Sequence, residues 1–194
     1  MTGESKRQIE HILPLVFAFL LRYLTVTQAV VCCLAAALYG LFLSPRVVPD
    51  GVRPEETRLG FSPGKLYYAF SILALLLIFH DRIHVAAAAW AVLALGDSTS
   101  NLAGRAWGKK LLPWSRDKTW VGSLVFIFSS WAGSLILFYW TSAGGAVKIP
   151  EIHRVFLSCG AASAAAALVE SLPLPLDDNI TCPLAAGAVL GAML

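Results

Sequence analysis

The polar segment from Gly96 to Gly122, GDSTSNLAGRAWGKKLLPWSRDKTWVG, interrupts an otherwise apolar chain. Asp97 follows an apolar run directly, and a carboxylate at such a boundary is costly enough that it usually serves a function. The cations downstream lead to Thr119 at the start of the next apolar run, where backbone N–H groups of a helix favour anions. A carboxylate that faces such an anion site suits Mg²⁺ carried by phosphates. The segment therefore predicts binding of nucleotide phosphates.

An alternative explanation for the small residues of this segment is helix packing. Gly104 and Gly108 are four residues apart. On a helix they would share one face and would let a second helix approach closely. That alternative leaves the acid and the cations of the segment unexplained.

Two further polar clusters could contribute to the same site. Near the N-terminus, Arg7 and His11 are four residues apart and would share a helical face. The alternative for this cluster is a cationic flank that snorkels to a membrane interface. Near the C-terminus, Glu170 precedes an Asp-Asp-Asn run that ends at Asn179. Two adjacent carboxylates and an amide indicate a metal or cation site, and helix capping by Asp178 or Asn179 is the alternative.

The composition indicates a membrane protein. Of the 194 residues, 57% are hydrophobic and 14% are charged, whereas about a quarter are charged in a typical soluble domain. The net charge of +3 is too small to indicate nucleic acid as a partner, and there is no basic, aromatic-rich stripe. The four cysteines lack metal-ligand spacing with a histidine. They are therefore expected to be small buried hydrophobic residues.

Seven apolar segments predict an all-α fold, a polytopic membrane bundle of about seven transmembrane helices that forms a single domain over 1–194. Their approximate ranges are 11–24, 26–43, 66–80, 84–96, 119–140, 152–170 and 180–194. A helix needs about 20 residues to cross the hydrocarbon core, so segment 84–96 is expected to continue into the polar segment behind it. Six spans are the alternative, because the last segment is cut short by the end of the chain.

The distribution of cations predicts the orientation of the bundle. With seven spans, the N-terminus and the loops 44–65, 97–118 and 171–179 lie on one side and hold eleven of the fifteen lysines and arginines. The positive-inside bias places that side in the cytoplasm, at an inner membrane or an endoplasmic-reticulum-type membrane. We therefore expect the polar chemistry at the cytoplasmic face.

The spacing of the central segment resembles the CTP-binding motif of dolichol kinases, D-x-x-A-x-x-x-G-x-x-x-G-x8-K-K-T-x-E-G. Six residues stand at matching positions with the full spacing: Asp97, Gly104, Gly108, Lys118, Thr119 and Gly122. The chain departs from the motif at three positions, where Ser100, Asp117 and Val121 replace Ala, Lys and Glu. The motif is similar in phytol kinases and in CTP-dependent diacylglycerol kinases.

Both ends of the chain carry the same resemblance. Arg7 with His11 resembles the family's R-K-x-x-H element, and Glu170 with DDNITCPL resembles its closing E…DN-x-x-P-L element. CTP:phosphatidate cytidylyltransferases carry a related central stretch, S-P-K-K-T-W-E-G. Their C-terminal signature, rich in His-Gly-Gly and Asp-Arg, is missing from this sequence, which favours the kinases.

The resemblance implies transfer of the terminal phosphate of CTP, with Mg²⁺, to the hydroxyl of a membrane lipid alcohol (a polyprenol or dolichol, a phytol-like alcohol or diacylglycerol). The metal ligands would be Asp97, Glu170 and Asp178. The catalytic residues would be Asp97, His11, Asp177 and Asp178, and any of the last three could orient the hydroxyl. The contacts to the nucleotide would be Arg7, Ser100, Asn101, Gly104, Arg105, Gly108, Lys109, Lys118, Thr119, Gly122 and Asn179.

Two other functions stand as alternatives. A CTP:phosphatidate cytidylyltransferase would use the same nucleotide but release pyrophosphate and make CDP-diacylglycerol. A small transporter or scaffold is disfavoured, because its polar residues would follow the helices and would not cluster at one surface. The expected partners are CTP, the lipid alcohol and membrane lipids, and a homodimer is one alternative for the oligomeric state.

Overall fold

The computed structural model describes residues 12–43, 46, 61–144 and 149–194. Within these ranges the chain forms seven α-helices, and its β-structure is limited to an isolated antiparallel bridge between Leu111 and Thr119. The predicted all-α fold is confirmed. The helices are α1 (Leu15–Leu20), α2 (Val26–Leu38, extended by a π-helical turn, Tyr39–Leu43), α3 (Pro63–Ile78), α4 (Ile83–Trp107), α5 (Trp120–Ser142), α6 (Ile152–Ser171) and α7 (Asp178–Met193).

Side-chain caps determine where several helices begin. Thr25 and Gln28 form a capping box at α2, in which each side chain accepts a hydrogen bond from the backbone N–H of the other. Thr119 caps α5 and Asp177 caps α7, and each side chain accepts a hydrogen bond from a backbone N–H two or three residues further on. Pro63 occupies the first turn of α3, where its missing N–H leaves no helical hydrogen bond unmade.

Helix α4 lies at the centre of the bundle. Every residue from Val85 to Ala94 is at most 5% exposed, and most of them are alanines. The helix packs most extensively against α5 and also contacts α3, α6 and α7. Small residues make this contact close, since a Cβ atom on Gly96 would lie 2.6 Å from the Phe126 ring. The alanine-rich sequence of α4 therefore lets several helices pack around a single axis.

Three helical segments among the described residues are long and apolar enough to cross a membrane. They are Val26–Leu43, Trp120–Ser142 and Ile152–Ser171, with mean hydropathies of 2.0, 1.9 and 1.5, and α3 is apolar but shorter. Large apolar side chains such as Val31, Phe128 and Leu157 are exposed on the outside of the bundle. An apolar surface of this extent is stable in lipid and costly in water. The chain is therefore a helical membrane protein.

One expected extension of a helix is confirmed, and one predicted segment differs from the observed helix. Segment 84–96 does continue into the polar region, so Asp97 lies in the interior of α4 and not at its end. The helix continues because Ser98, Ser100 and Ala103 are small enough to be buried in the bundle. Segment 11–24, in contrast, yields only the six-residue α1 before a turn at Leu21. Six residues extend about 9 Å, so α1 by itself is too short to cross a membrane.

The helices place several polar segments at one end of the bundle, which we call the site end. It holds the C-terminus of α4, the N-terminus of α5, the C-terminus of α6 and the N-terminus of α7, which are linked by side-chain contacts described below. The loops at 108–119 and 172–177 therefore lie together, as the sequence predicts for the loops 97–118 and 171–179. The other end carries the short connection between α3 and α4.

Candidate active site

Three carboxylates from three helices meet at the site end. Asp97 comes from the middle of α4, Glu170 from the last turn of α6 and Asp178 from the first turn of α7. One oxygen of each carboxylate lies within 4.8 Å of the other two. Glu170 is only 3% exposed, whereas Asp97 and Asp178 are partly exposed. We call these three residues the carboxylate cluster.

A lysine ammonium lies against the carboxylate cluster. The Nζ atom of Lys118 is 2.5 Å from Oε1 of Glu170 and 3.4 Å from Oδ2 of Asp178. Burial alone would lower the pKa of Lys118, but the charges of Glu170, Asp178 and Asp97 outweigh that effect and raise the pKa above its usual value. Lys118 is therefore charged at neutral pH, and the acids of the site still outnumber it.

The capping of α7 explains why Asp178 is available to the cluster. Oδ1 of Asp177 accepts hydrogen bonds from the backbone N–H of Asn179, at 2.9 Å, and from its side-chain Nδ2, at 2.8 Å. The sequence left Asp178 or Asn179 as the candidate cap, but the cap is Asp177. Asp177 and Asn179 thus hold each other at the start of the helix, outside the carboxylate cluster, and Asp178 points to Lys118.

The carboxylate of Asp97 is oriented by its own helix. Nδ2 of Asn101, one turn further on, donates to Oδ1 of Asp97 at 2.9 Å and to the carbonyl of Asp97 at 3.0 Å. The hydroxyl of Ser100 donates to the same carbonyl at 2.9 Å. Asn101 and Ser100, which the sequence assigns to the nucleotide, thus both contact Asp97, and Asn101 fixes the direction of its side chain.

A short hairpin carries Lys118 to the carboxylate cluster. Between α4 and α5, the N–H of Leu112 donates to the carbonyl of Lys118 at 2.9 Å, and the N–H of Trp120 donates to the carbonyl of Lys110 at 3.1 Å. Nε1 of Trp114 donates to the hydroxyl of Ser171, the last residue of α6, at 3.0 Å. The hairpin, residues 108–119, is therefore attached to the helix that provides Glu170.

Trp114 and Ser171 are the residues of this region that sequence reasoning missed. The available signal was a tryptophan in a short polar loop between two apolar segments. An indole in such a position often packs its ring against apolar surface and donates its N–H to a neighbour. The Trp114 ring does both, because it also meets the ring of Trp120 edge to face, with 6.1 Å between the centroids.

The glycines of the central motif allow α4 and α5 to approach each other. A Cβ atom on Gly104 would lie 3.1 Å from Oγ1 of Thr119, and one on Gly122 would lie 3.1 Å from the carbonyl of Ser100. A Cβ atom on Gly108 would collide with the carbonyl of Gly104 and with Thr119. Oγ1 of Thr119 in turn accepts a hydrogen bond from the N–H of Gly122 at 3.1 Å. Close packing thus accounts for the small residues, and their contact with phosphate stays a prediction.

The remaining predicted site residues divide into two groups. Arg105 is exposed in the last turn of α4, and Lys109 is exposed at the start of the hairpin. They lie at the same end of the bundle as the carboxylate cluster. Arg7 and His11 lie outside the described residues.

The carboxylate cluster fits a hard divalent cation. Mg²⁺ binds oxygen at about 2.1 Å, which places two opposed ligand oxygens about 4.2 Å apart. Adjacent ligand oxygens of the same ion lie about 3.0 Å apart, so the three oxygens, within 4.8 Å of one another, need to move together by about 1–2 Å to share one ion. Mg²⁺ sites with few carboxylates are usually completed by water and by substrate phosphates. The donor set is therefore suited to a cation that arrives with a nucleotide.

The fold and the site define a helical membrane protein with a carboxylate cluster and a lysine at one end of its bundle. The chain is 30% identical over 179 residues to phytol kinase 1, chloroplastic, of Arabidopsis thaliana, which covers 89% of this chain and 57% of that protein. It is 30% identical over 175 residues to probable phytol kinase 1, chloroplastic, of Glycine max, which covers 87% and 56%. It is 30% identical over 133 residues to farnesol kinase, chloroplastic, of Arabidopsis thaliana, which covers 68% and 42%.

The chain is a homologue of the phytol and farnesol kinases, which confirms the resemblance inferred from the central motif. It spans about half the length of the curated relatives it matches. No protein-family model matches the chain, and no solved structure matches it at a significant level.

Proposed function

We propose that the chain transfers the terminal phosphate of CTP to the hydroxyl of a membrane lipid alcohol, with Mg²⁺ held by Asp97, Glu170 and Asp178. The observation that carries the proposal is the carboxylate cluster with Lys118, at the end of a membrane bundle whose homologues are named for phosphorylating alcohols. Phytol and farnesol are isoprenoid alcohols, so an isoprenoid alcohol is the substrate class we favour over diacylglycerol.

The chemistry asked of the protein is mostly positioning and neutralisation of charge, as in other phosphoryl transfers. The oxygen of the lipid hydroxyl attacks the terminal phosphorus and CDP leaves. A cation held by Asp97, Glu170 and Asp178 would supply positive charge that neutralises the phosphates. Lys118, at the N-terminus of α5, would hold a phosphate oxygen, since backbone N–H groups at that terminus also favour anions. Arg105 and Lys109 would add positive field from the surface.

A carboxylate of the cluster would accept the proton of the lipid hydroxyl, through an oxygen that does not hold the cation. Of the two adjacent acids, Asp177 is engaged as the cap of α7 and Asp178 faces the site. Asp178 is therefore our choice between them, and His11 is the alternative outside the described residues. A proton acceptor must lie within hydrogen-bond reach of the attacking hydroxyl, which the position of Asp178 permits for a headgroup at the site end.

The lipid would reach the site from the bilayer. On the elements of the site end, Leu102, Leu111 and Trp120 are exposed large apolar side chains. An alcohol whose hydrocarbon chain lies along such a surface would have its hydroxyl at the membrane interface, level with the hairpin. We place the site end at the cytoplasmic face of an inner or endoplasmic-reticulum-type membrane, because the loops 44–65 and 97–118 hold nine of the fifteen cations and the alternation of α2 to α7 puts both loops at that end.

The test is incubation of the purified protein, in lipid vesicles with Mg²⁺, with CTP labelled at the γ position. The panel of acceptors is farnesol, phytol, dolichol and diacylglycerol, and ATP replaces CTP in a parallel series. We expect label in the monophosphate of an isoprenoid alcohol and CDP as the other product. Label in pyrophosphate would indicate a cytidylyltransferase and would contradict the proposal. Size-exclusion chromatography with light scattering on the same preparation measures whether the protein is a homodimer.

A further inference from the structure

We propose that the Lys118 ammonium occupies the carboxylate cluster until a divalent cation displaces it, and that it then binds the phosphates that arrive with the cation. The inference rests on the proposed function, because it concerns the same site. It assigns Lys118 two successive partners, first the acids and then the nucleotide.

The first step follows from the position of Nζ. The ammonium contacts Glu170 and Asp178, which are two of the three carboxylates that would hold the cation. A divalent cation would bind oxygens of those carboxylates at about 2.1–2.5 Å. The two positive charges would then lie a few ångström apart in a partly buried site, where salt and solvent screen their repulsion only weakly. The cation and the ammonium therefore compete for the same acids.

The burial of Glu170 explains why a counter-ion is needed before the cation arrives. An isolated carboxylate that is 3% exposed is expensive to keep charged, and a paired one is much less so. Lys118 provides the partner from within the chain. The pairing with Lys118 therefore lets the carboxylates stay ionised, and α4, α6 and α7 stay packed, when no divalent cation is bound.

The hairpin lets the side chain of Lys118 move while its backbone stays fixed. Its carbonyl accepts a hydrogen bond from Leu112 at 2.9 Å, and its N–H donates to the hydroxyl of Ser115 at 3.3 Å. The next residue, Thr119, caps α5, so the lysine stem begins beside the N–H groups of that helix. Rotation of a flexible four-carbon stem is enough to carry the ammonium from the acids towards an anion at this helix N-terminus.

This competition predicts that the cation alone binds weakly and that the cation with phosphates binds tightly. A bare cation must displace Lys118 and leave its charge without a partner. A cation that brings phosphates supplies a new partner for the ammonium. The site would therefore load cation and nucleotide together and would resist occupation by the metal alone.

The experiment measures Mn²⁺ binding in detergent without nucleotide or lipid, from the electron paramagnetic resonance signal of free Mn²⁺. It compares the wild-type protein with Lys118→Met, which keeps the length of the side chain and removes its charge, and with Lys110→Met as the exposed control. We expect Lys118→Met to lower the Kd for Mn²⁺ at least about tenfold, and Lys110→Met to change it less than about twofold. Unchanged or weaker binding to folded Lys118→Met would overturn the inference.

A second measurement uses the unaltered protein and so does not depend on the folding of a variant. Lysines are acetylated briefly with an N-hydroxysuccinimide ester, with and without Mg²⁺, and the modified sites are quantified by mass spectrometry. We expect Mg²⁺ to increase the acetylation of Lys118 at least about threefold, because the ammonium loses its acidic partners, and to leave Lys110 unchanged. Equal acetylation of Lys118 with and without saturating Mg²⁺ would contradict displacement.

These results are separable from the transfer assay. Enhanced Mn²⁺ binding by Lys118→Met, in a protein that phosphorylates none of the alcohols, would support the displacement and refute the proposed function. The opposite outcome is also possible. The protein could transfer phosphate to an alcohol while Lys118→Met leaves Mn²⁺ binding unchanged and Mg²⁺ leaves the acetylation of Lys118 unchanged. That result would support the proposed function and refute the displacement.

Discussion

The two ends of the helical bundle pair their charges in different ways. At the end opposite the site, His80 contacts Asp81 at 3.1 Å and His153 contacts Glu151 at 3.3 Å, and these partners are near neighbours in sequence with largely exposed side chains. At the site end, Lys118 of the hairpin contacts Glu170 on α6 and Asp178 on α7. Glu170 is buried and Asp178 is partly exposed.

The difference separates local surface pairs from an assembled site. Exposed pairs contribute little to stability, about 0–1 kcal/mol at most, and the fold does not depend on them. A partly buried group of three acids and one lysine costs desolvation energy that its own contacts need not repay. Such an arrangement is more readily explained by function than by stability. The variants below test this contrast, from the largest expected effect to the smallest.

Asp97→Asn should have the largest effect. It removes one negative charge from the carboxylate cluster and keeps the size of the side chain, so we expect phosphate transfer to fall more than about a hundredfold, beyond the loss typical of residues that only support a metal ligand. The measurement is the rate of transfer from labelled CTP, with the melting temperature as a check on folding. Activity within a few-fold of the wild type would remove Asp97 from the site.

Lys118→Ala should come next and should exceed Lys110→Ala by a wide margin. Loss of a phosphate contact made in the transition state should lower kcat and also raise the apparent KM for CTP. The Lys110 side chain is exposed on the hairpin, where a solvated charge contributes little. Steady-state kinetics with saturating lipid on both variants makes the comparison. Equal losses would mean that the hairpin acts only as a diffuse positive surface.

Asn101→Ala should reduce activity about 10- to 100-fold, because it removes the hydrogen bond that orients the Asp97 carboxylate. If Asn101 positions the metal ligand, the apparent affinity for Mg²⁺ should weaken by a similar factor while the KM for the alcohol stays unchanged. A Mg²⁺ titration of the transfer rate checks this. An increase in the KM for CTP with no change in the Mg²⁺ dependence would instead support the direct nucleotide contact expected from the sequence.

Trp114→Phe should have a smaller effect of about two- to tenfold on kcat, since it removes one hydrogen bond between the hairpin and Ser171. The control is Trp107→Phe, at a position that is 70% exposed at the end of α4, which we expect to change kcat less than twofold. The same loss in both variants would show that the tryptophans matter through the membrane interface and not through the attachment of the hairpin.

Asp81→Asn, at the opposite end, should have the smallest effect. Because Asp81 and its partner His80 are both largely exposed, we expect transfer within twofold of the wild type and a shift in melting temperature of less than about 2 °C. A loss of activity like that of Asp97→Asn would abolish the distinction between the two ends.

The sequence was sufficient to predict the helices because their signal is local. Apolar runs located α2, α3 and α5 to α7 within a few residues of their ends, and they located the start of α4. The small residues after Gly96 explain why α4 continues past Asp97, well beyond the end of its apolar run. Segment 11–24 has the same composition but yields only α1 in the described residues, since hydropathy does not report where a short apolar run turns.

The sequence predicted which residues form the candidate site, but it did not predict the contacts between them. Motif spacing identified Asp97, Glu170, Asp178 and Lys118, and the structure brings these four together. Lys118 was expected to face phosphate, and in the structure its ammonium contacts Glu170 and Asp178. The sequence could not show this pairing, because it depends on how the hairpin packs on α6. The hydrogen bond between Trp114 and Ser171 is of the same non-local kind, and no spacing rule connects two residues on separate segments.

The most direct test of the central claim, that the charges at the site end form the active site of a lipid alcohol kinase, is the fate of the label from γ-labelled CTP. Vesicles with the wild-type protein, Asp97→Asn or Asp81→Asn are incubated with farnesol and phytol, and the lipid products are separated. We predict labelled alcohol monophosphate with the wild type and Asp81→Asn, and none above background with Asp97→Asn. Equal labelling by all three proteins, or label recovered only in pyrophosphate, would contradict the claim.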